Sequence, residues 1–387
     1  MNSPISYAPG WPGSEPRWTS SAKTGLGTAL NQESRIWFTL SHGILNEIYF
    51  PRVDQACTRD MGLIITDGRQ FFSEEKRHTL HETTCLAPGV PAYRLVNTCV
   101  HGQYRIEKEI LTDTKRPVLL QRTRFVALQG AATDYHLYVL LAPHLANHGG
   151  NNTGWVGDHN GAPMLFAERG GCALALACST GWRARSIGFV GVSDGWQDLN
   201  AHKRMTWLYD RAENGNIALV GEVKLPGADE DIVLALGFGD NPAEAAEYAI
   251  ASLQDDFDAT RNSYVQEWRD WRKSLTEIKP ATPDSRDLSG ISAVVLRTCE
   301  SKEHPGGIIA SLSLPWGFAK GDGDLGGYHL VWPRDLVEAA ISLLAIGATN
   351  DARRVFEFPS GHATRRRPLG AEHVDRWKAV LARRTTR

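Results

Sequence analysis

Residues Ile232–Leu253 read IVLALGFGDNPAEAAEYAIASL, and the period of the sequence changes inside them. Up to Gly237 the segment is apolar and rich in strand-forming side chains, as a buried strand is. From Asn241 the pattern turns helical. Asn241 is a favoured N-cap, Pro242 fits the first helical position, and a polar–apolar helix is expected over Ala243–Leu253. Working outward from this switch, the chain divides into a β part before it and an α part after it.

Upstream, short β-branched and aromatic segments recur between Gly, Asp, Asn and Pro turns. Strands are expected at Ile36–Leu40, Asn46–Phe50, Gly62–Thr66, Ala92–Cys99, Tyr104–Leu111 and Val118–Ala127. More are expected at Tyr135–Leu141, Cys172–Cys178, Arg185–Val192, Ile217–Lys224 and Ile232–Gly237, with His148–Thr153 as a turn. No helices alternate with them, so the pattern favours an antiparallel sandwich larger than seven strands. Downstream, a helix is expected over Phe257–Leu275, with Tyr264, Trp268 and Trp271 on one face. The stretch Lys279–Asp284 breaks it, and another helix is expected over Ser285–Ser301. A further helix starts at Pro333, with Asp335 in its first turn and Leu336, Val337, Ala340, Ile341 and Leu344 as its buried stripe. The divisions are a β domain (1–240), a helical linker (241–283), the opening of an α domain (284–358) and a tail (359–387).

Composition is that of a globular protein: 387 residues, 42% hydrophobic and 22% charged. The net charge of −2 points to neither nucleic acid nor anionic membrane. No apolar run approaches the ~20 residues of a membrane span. The first twenty residues lack the basic start and apolar core of a secretory signal, so the chain reads as cytoplasmic; a different start would leave periplasmic or secreted placement open. Six scattered cysteines without a C-x-x-C pair read as reduced core residues. Twelve tryptophans are read mainly as core, with some able to stack on sugar rings.

The stretch Gly306–Asp335, GGIIASLSLPWGFAKGDGDLGGYHLVWPRD, carries the chemistry. It is an apolar segment, a Pro315-Trp316-Gly317 turn, a Gly-rich loop, and aromatics leading into a helix. Arg334 offers a planar five-donor fork and Asp335 an adjacent acceptor pair, beside Trp332 and Tyr328. Flat apolar faces together with bidentate polar groups suit a sugar. An N-capped helix with a local Arg–Asp pair fits the same residues.

This segment resembles the start of the catalytic domain in bacterial glucoamylases and glucodextranases of glycoside hydrolase family fifteen, through its PWG turn and YHxVWPRD motif. The N-terminal region is similar too: Ala8-Pro9-Gly10, Trp18–Gly27 (WTSSAKTGLG), Ile36–Arg52 (IWFTLSHGILNEIYFPR) and Arg59-Asp60. The resemblance implies an antiparallel β-supersandwich, a helical linker and the first helices of an incomplete (α/α)6 barrel. It implies an α-glucan or malto-oligosaccharide substrate cut from non-reducing ends with inversion, and no cofactor. Arg334 and Asp335 would bind the terminal glucose, Trp332 and Tyr328 would line it, and Trp316 would sit on a nearby loop. Inversion needs an acid and a base about 6.5–9.5 Å apart. The resemblance puts both glutamates beyond the end of this chain, leaving it inactive alone; Glu338 reads as solvated. Oligomeric state and linkage are not specified. The other readings are a carbohydrate-binding or assembly sandwich without catalysis, and a glycoside phosphorylase or trehalase-like enzyme.

After Phe356 the likeness stops. Pro359–Arg387 carries eight Lys and Arg against two acids. The segment Arg367–Arg383, RPLGAEHVDRWKAVLAR, back-translates with permitted codons so that the next frame encodes GHWAQNMWIDGKPYWH. That string resembles the next segment of the family, so a frameshift between about Phe356 and Arg367 is expected. The β domain is expected to fold alone, with Met1–Leu275 soluble while the full chain aggregates or loses its last hundred residues to protease. His78–His81 reads as a loop holding structural histidines without an acidic partner, like His144 and His148. Asp322-Gly323-Asp324 lacks the rest of a calcium loop. No metal site is expected, and no Gly-rich stretch fits a phosphate loop.

Overall fold

The computed structural model describes residues 5–225, 230–276, 287–314, 321 and 327–362, with side chains to 358. Its strands, in chain order, are β1 (Gly25–Gly27), β2 (Trp37–Ser41), β3 (Ile44–Tyr49), β4 (Thr58–Thr66), β5 (Phe72–Glu74) and β6 (Thr79–Cys85). Then come β7 (Tyr93–Cys99), β8 (Tyr104–Thr112), β9 (Val118–Ala127), β10 (His136–Pro143), β11 (Asn152–His159) and β12 (Ala162–Arg169). The last five are β13 (Cys172–Cys178), β14 (Trp182–Phe189), β15 (Arg211–Gly215), β16 (Ile217–Val223) and β17 (Ile232–Gly239). The helices are α1 (Glu75–His78), α2 (Gly195–His202), α3 (Pro242–Gln254), α4 (Phe257–Lys273), α5 (Leu288–Thr298), α6 (Pro333–Ala345) and α7 (Thr349–His362).

Two antiparallel sheets form the sandwich. One runs β1-β2-β3-β4-β10-β16-β14, with β5 beside β4; the other runs β15-β11-β12-β13-β17-β9-β8-β7-β6. Alternate side chains such as Phe38, Leu40, Ile106, Ile110, Leu174 and Leu236 fill the space between them. The switch at Asn241 occurs as expected. The Asn241 side chain accepts from Glu244 N at 3.0 Å and starts α3. Ala245, Ala246 and Ala249 then lay α3 on the outer face of the second sheet. That approach is close: a Cβ on Gly237 would lie 2.2 Å from Ala245 O, so only glycine fits there.

Helix α4 buries Tyr264 and Trp268 completely, and both donate to Thr28 O, at 2.7 and 2.9 Å. Helices α5, α6 and α7 pack on the far side of β2 and β3, where Trp18, Trp37, Tyr49, Val53 and Ala56 meet Ile308, Ile309, Leu312, Leu336, Leu343 and Val355. The sandwich followed by helices agrees with the expected fold class. No helix among the described residues is long and apolar enough to cross a membrane.

Several expectations change. His78–His81 is not a loop: His78 ends α1 and the rest opens the edge strand β6, beside the buried Glu75 carboxylate. The strands β1, β5, β6, β11, β12 and β15 were not legible as such. Each is short, at an edge or weakly alternating, and Asn152-Thr153 begins β11 instead of completing a turn. The buried stripe of α6 is Leu336, Ala339, Ala340 and Leu343, with Leu344 exposed, because the helix turns a slightly different face inward. Helix α5 is confined to Leu288–Thr298. Five cysteines are buried thiols, but Cys85 is exposed on the β6 edge.

A buried ionic post crosses the sandwich. The side chains of Lys108 and Glu75 are fully buried 2.6 Å apart, and Lys108 Nζ also donates to Gly43 O at 2.7 Å. Asn97 donates to Glu75 Oε1 at 2.6 Å and to Gly43 O at 2.8 Å, and Leu63 N–H donates to Glu75 Oε2 at 3.1 Å. His42 and Gly43, both at positive φ, make the turn between β2 and β3 that the post holds. A Cβ on Gly43 would lie 2.5 Å from Asn97 Oδ1.

Candidate functional site

The segment 327–335 runs from a turn into the first helical turn of α6, where Pro333 sets the helix start. Its backbone is pinned to the stretch 308–314 before it: Ser311 N donates to Tyr328 O at 3.0 Å and Ala310 N to Leu330 O at 3.1 Å. Leu330 N donates to Gly327 O at 3.4 Å, so Tyr328, His329 and Leu330 lie in a turn. Tyr328 and Leu330 face solvent, 45% and 54% exposed, while His329 between them is 6% exposed. Trp332 is 47% exposed, and its indole folds back to donate to Gly327 O at 3.0 Å, which fixes the ring.

Arg334 and Asp335 stand in the first turn of α6, 3.8 Å apart, with side chains 88% and 45% exposed. Their contact is loose, so the guanidinium donors remain available to a ligand. Four of the five residues singled out from sequence therefore lie on one short segment, presenting two aromatic faces and a planar cation. The fifth, Trp316, lies outside the described residues, as do Asp322–Asp324 and the residues beyond 362. Glu338 is exposed one turn along α6 from Asp335. Residues three apart on a helix share a face. Asp335 and Glu338 thus cannot stand on opposite sides of a sugar as an inverting acid and base do. Among the described residues, no group of three or more His, Cys, Asp or Glu side chains is arranged to hold a metal ion.

Sequence reasoning missed the support beneath this segment. The Tyr49 hydroxyl donates to Leu312 O at 2.8 Å and stands 3.3 Å from His329 Nε2, with the two rings edge to face. Burial drives the His329 imidazole down to about 4 against the opposing pull of Asp54. The ring is neutral at pH 7, so one of its nitrogens carries a hydrogen and the other is a bare acceptor. Lys302 Nζ donates to Thr28 Oγ1 at 2.7 Å and to Ser34 O, with Trp37 beneath it at 4.9 Å. Burial holds this ammonium well below the usual lysine range. Ser313 Oγ donates to Ser21 O at 2.8 Å, tying the Trp18–Gly27 stretch to the same region. These partners lie more than 250 residues apart in sequence, and no local pattern marks them.

Residues 8–273 match the family described as glucodextranase, domain N. A glucoamylase from Clostridium sp. (strain G0005) is 38% identical over 347 residues, covering 90% of this chain and 49% of that protein. The crystal structure of a bacterial glucoamylase complexed with acarbose superposes with a TM-score of 0.88 at 36% identity, covering 92% of this chain and 52% of the other. The chain thus spans about half the length of the relatives it matches. With more than half of its length matching that family and the same sandwich followed by helices as the solved glucoamylase, the chain belongs to the glucodextranase domain N family.

Proposed function

We propose that this chain provides the β domain and the terminal-glucose recognition segment of a glucan 1,4-α-glucosidase, an enzyme that releases glucose from the non-reducing ends of α-glucans with inversion. The observation that carries this reading is the fixed Trp332 ring next to the exposed guanidinium of Arg334 at the start of α6. It supports stacking on a pyranose ring and paired hydrogen bonds to vicinal hydroxyls. In this proposal 1–240 is the sandwich, 241–283 the linker and 284–358 the opening of the barrel. Residues 359–387 are an out-of-frame tail. The acid and base belong to helices downstream of the WPRD motif, and the chain alone binds malto-oligosaccharide without hydrolysing it.

Calorimetry of the full chain with maltotriose, alongside a glucose-release assay, tests this. Saturable binding lost in Arg334→Ala and Trp332→Ala, with no glucose released, is the expected result. Binding indifferent to both substitutions refutes the site. Release of glucose by this chain refutes the placement of the acid and base. The coding DNA downstream of codon 356 tests the tail: it should encode GHWAQNMWIDGKPYWH in another frame.

A further inference from the structure

We infer that Tyr49, a β-domain residue, is a positioning residue for the sugar-recognition segment, acting through His329 and Leu312. Tyr49 is fully buried at the end of β3, on the sheet face that α5, α6 and α7 cover. Its single hydroxyl touches two stretches of the helical part at once, the Leu312 carbonyl at 2.8 Å and His329 Nε2 at 3.3 Å. With the phenol hydrogen on Leu312 O, the oxygen's lone pair is open to His329 Nε2 in the tautomer that carries its hydrogen there. One oxygen therefore ties the stretch 308–314 to the stretch 327–332.

His329 is the buried residue of this turn, between the exposed Tyr328 and Leu330, so its contact with Tyr49 holds the turn from the inside. The segment has its other inward anchor in Val331, packed on the same apolar cluster as Tyr49. Its backbone is held by the two bonds to Ala310 and Ser311, and the Trp332 indole bonds within the segment, to Gly327. A hydrophobic plug at position 329 would fill the same space. It would not fix rotation about the chain, which the directional bond to Tyr49 does. This inference rests on the proposed function for its consequence, that the latch sets sugar affinity, and on the geometry alone for its existence.

The test uses three variants of the full chain, Tyr49→Phe, His329→Gln and His329→Leu. The glutamine side chain can donate its amide N–H to the phenol oxygen, whereas the leucine keeps the volume without a donor. Amide hydrogen exchange is read at Ala310, Ser311 and Leu330, with β8 and β9 as internal controls. A net hydrogen bond corresponds to about three- to tenfold in local opening. Tyr49→Phe and His329→Leu are expected to speed exchange at the three amides by about that factor while β8 and β9 stay unchanged, and His329→Gln is expected to match the parent. Unchanged exchange in Tyr49→Phe, or His329→Gln as fast as His329→Leu, overturns the latch. Maltotriose titration reads the consequence. Affinity lowered in Tyr49→Phe and His329→Leu but retained in His329→Gln supports it. Equal affinity in all four proteins overturns it. If the parent chain binds no maltotriose while the exchange pattern holds, the latch stands and the sugar reading of the segment falls.

Discussion

Replacing Lys108 with methionine should destabilise this protein more than almost any other single change of similar volume. The ammonium is fully buried between Glu75 at 2.6 Å and Gly43 O at 2.7 Å. Its removal leaves the Glu75 carboxylate inside the sandwich with only the Asn97 amide and the Leu63 N–H as partners. Breaking a buried pair from one side costs about 3–5 kcal/mol, because an uncompensated charge remains. With a urea m value of about 3 kcal/mol per molar, the midpoint should fall by about 1–1.7 M. The double variant Glu75→Gln, Lys108→Met removes both charges and keeps an acceptor for Leu63 N–H. It should cost only about 1–2 kcal/mol, less than the single change. Urea unfolding of the full chain at pH 7, followed by tryptophan fluorescence and circular dichroism, decides the matter. A Lys108→Met variant within about 1 kcal/mol of the parent, or a double variant less stable than the single, would refute the reasoning. The post also holds the turn from β2 into β3, the strand that ends at Tyr49, so the single variant should loosen the latch as well.

Acid should unfold the protein through two histidines. Burial lowers His144 to about 3 and His329 to about 4 from an ordinary 6.5. The unfolded chain binds their protons first, so stability is complete above about pH 6.5 and falls as pH drops toward 4 and 3. For each such group the loss is about 1.4 kcal/mol per pH unit across that window. A melting temperature that stays flat between pH 6.5 and 4 in both the parent and His329→Gln would contradict this. Trp268→Ala should cost about 3–5 kcal/mol through lost packing and the broken bond to Thr28 O, read as a lowered urea midpoint. Arg334→Ala should leave stability within about 0.5 kcal/mol, since its ion pair is exposed and long, while maltotriose affinity drops about tenfold or more. Calorimetry and thermal melts on the same preparation separate the two effects.

How much was legible follows from how local each signal is. The change of period at Asn241, the cap that starts α3 and the shared face of Tyr264 and Trp268 depend on neighbours a few residues away, and all appear as the spacing implies. That Tyr328, Trp332, Arg334 and Asp335 share one segment was legible for the same reason: they lie within eight consecutive residues. Short edge strands were not. Strand β15, for instance, reads RAENG, with a charge and a glycine where alternation would be sought, and is a strand because β11 lies beside it. The inward face of α6 was placed wrongly because helical spacing allows several adjacent stripes. Contacts with Ile308, Leu312 and Val355 choose Leu343 over Leu344. Tyr49 and His329 were each within view in their motifs, yet nothing in either stretch says that they meet.

That meeting bears on whether the sandwich is an independent unit. All five residues of β2 and all six of β3 are buried, so both faces of these strands are covered. One face looks into the sandwich. The other carries Trp37 and Tyr49 and is covered by α5, α6, α7 and the stretch around Ile308–Leu314. A fragment ending at Leu275 loses that cover. It would expose Trp18, Trp37, Tyr49, Val53 and Ala56 together, a contiguous aromatic patch of the kind that drives association. It would also lose Lys302 from the Trp37 ring. The sequence alone suggested that Met1–Leu275 would be soluble by itself, but the buried far face of β2 and β3 argues the reverse. The fragment should bind a hydrophobic dye and self-associate, while a chain reaching His362 should do so much less. Equal dye binding and a monomeric fragment in analytical ultracentrifugation would show that β2 and β3 tolerate an open face. In the folded chain, the sandwich would then be a support for the segment 327–335 without depending on it in return.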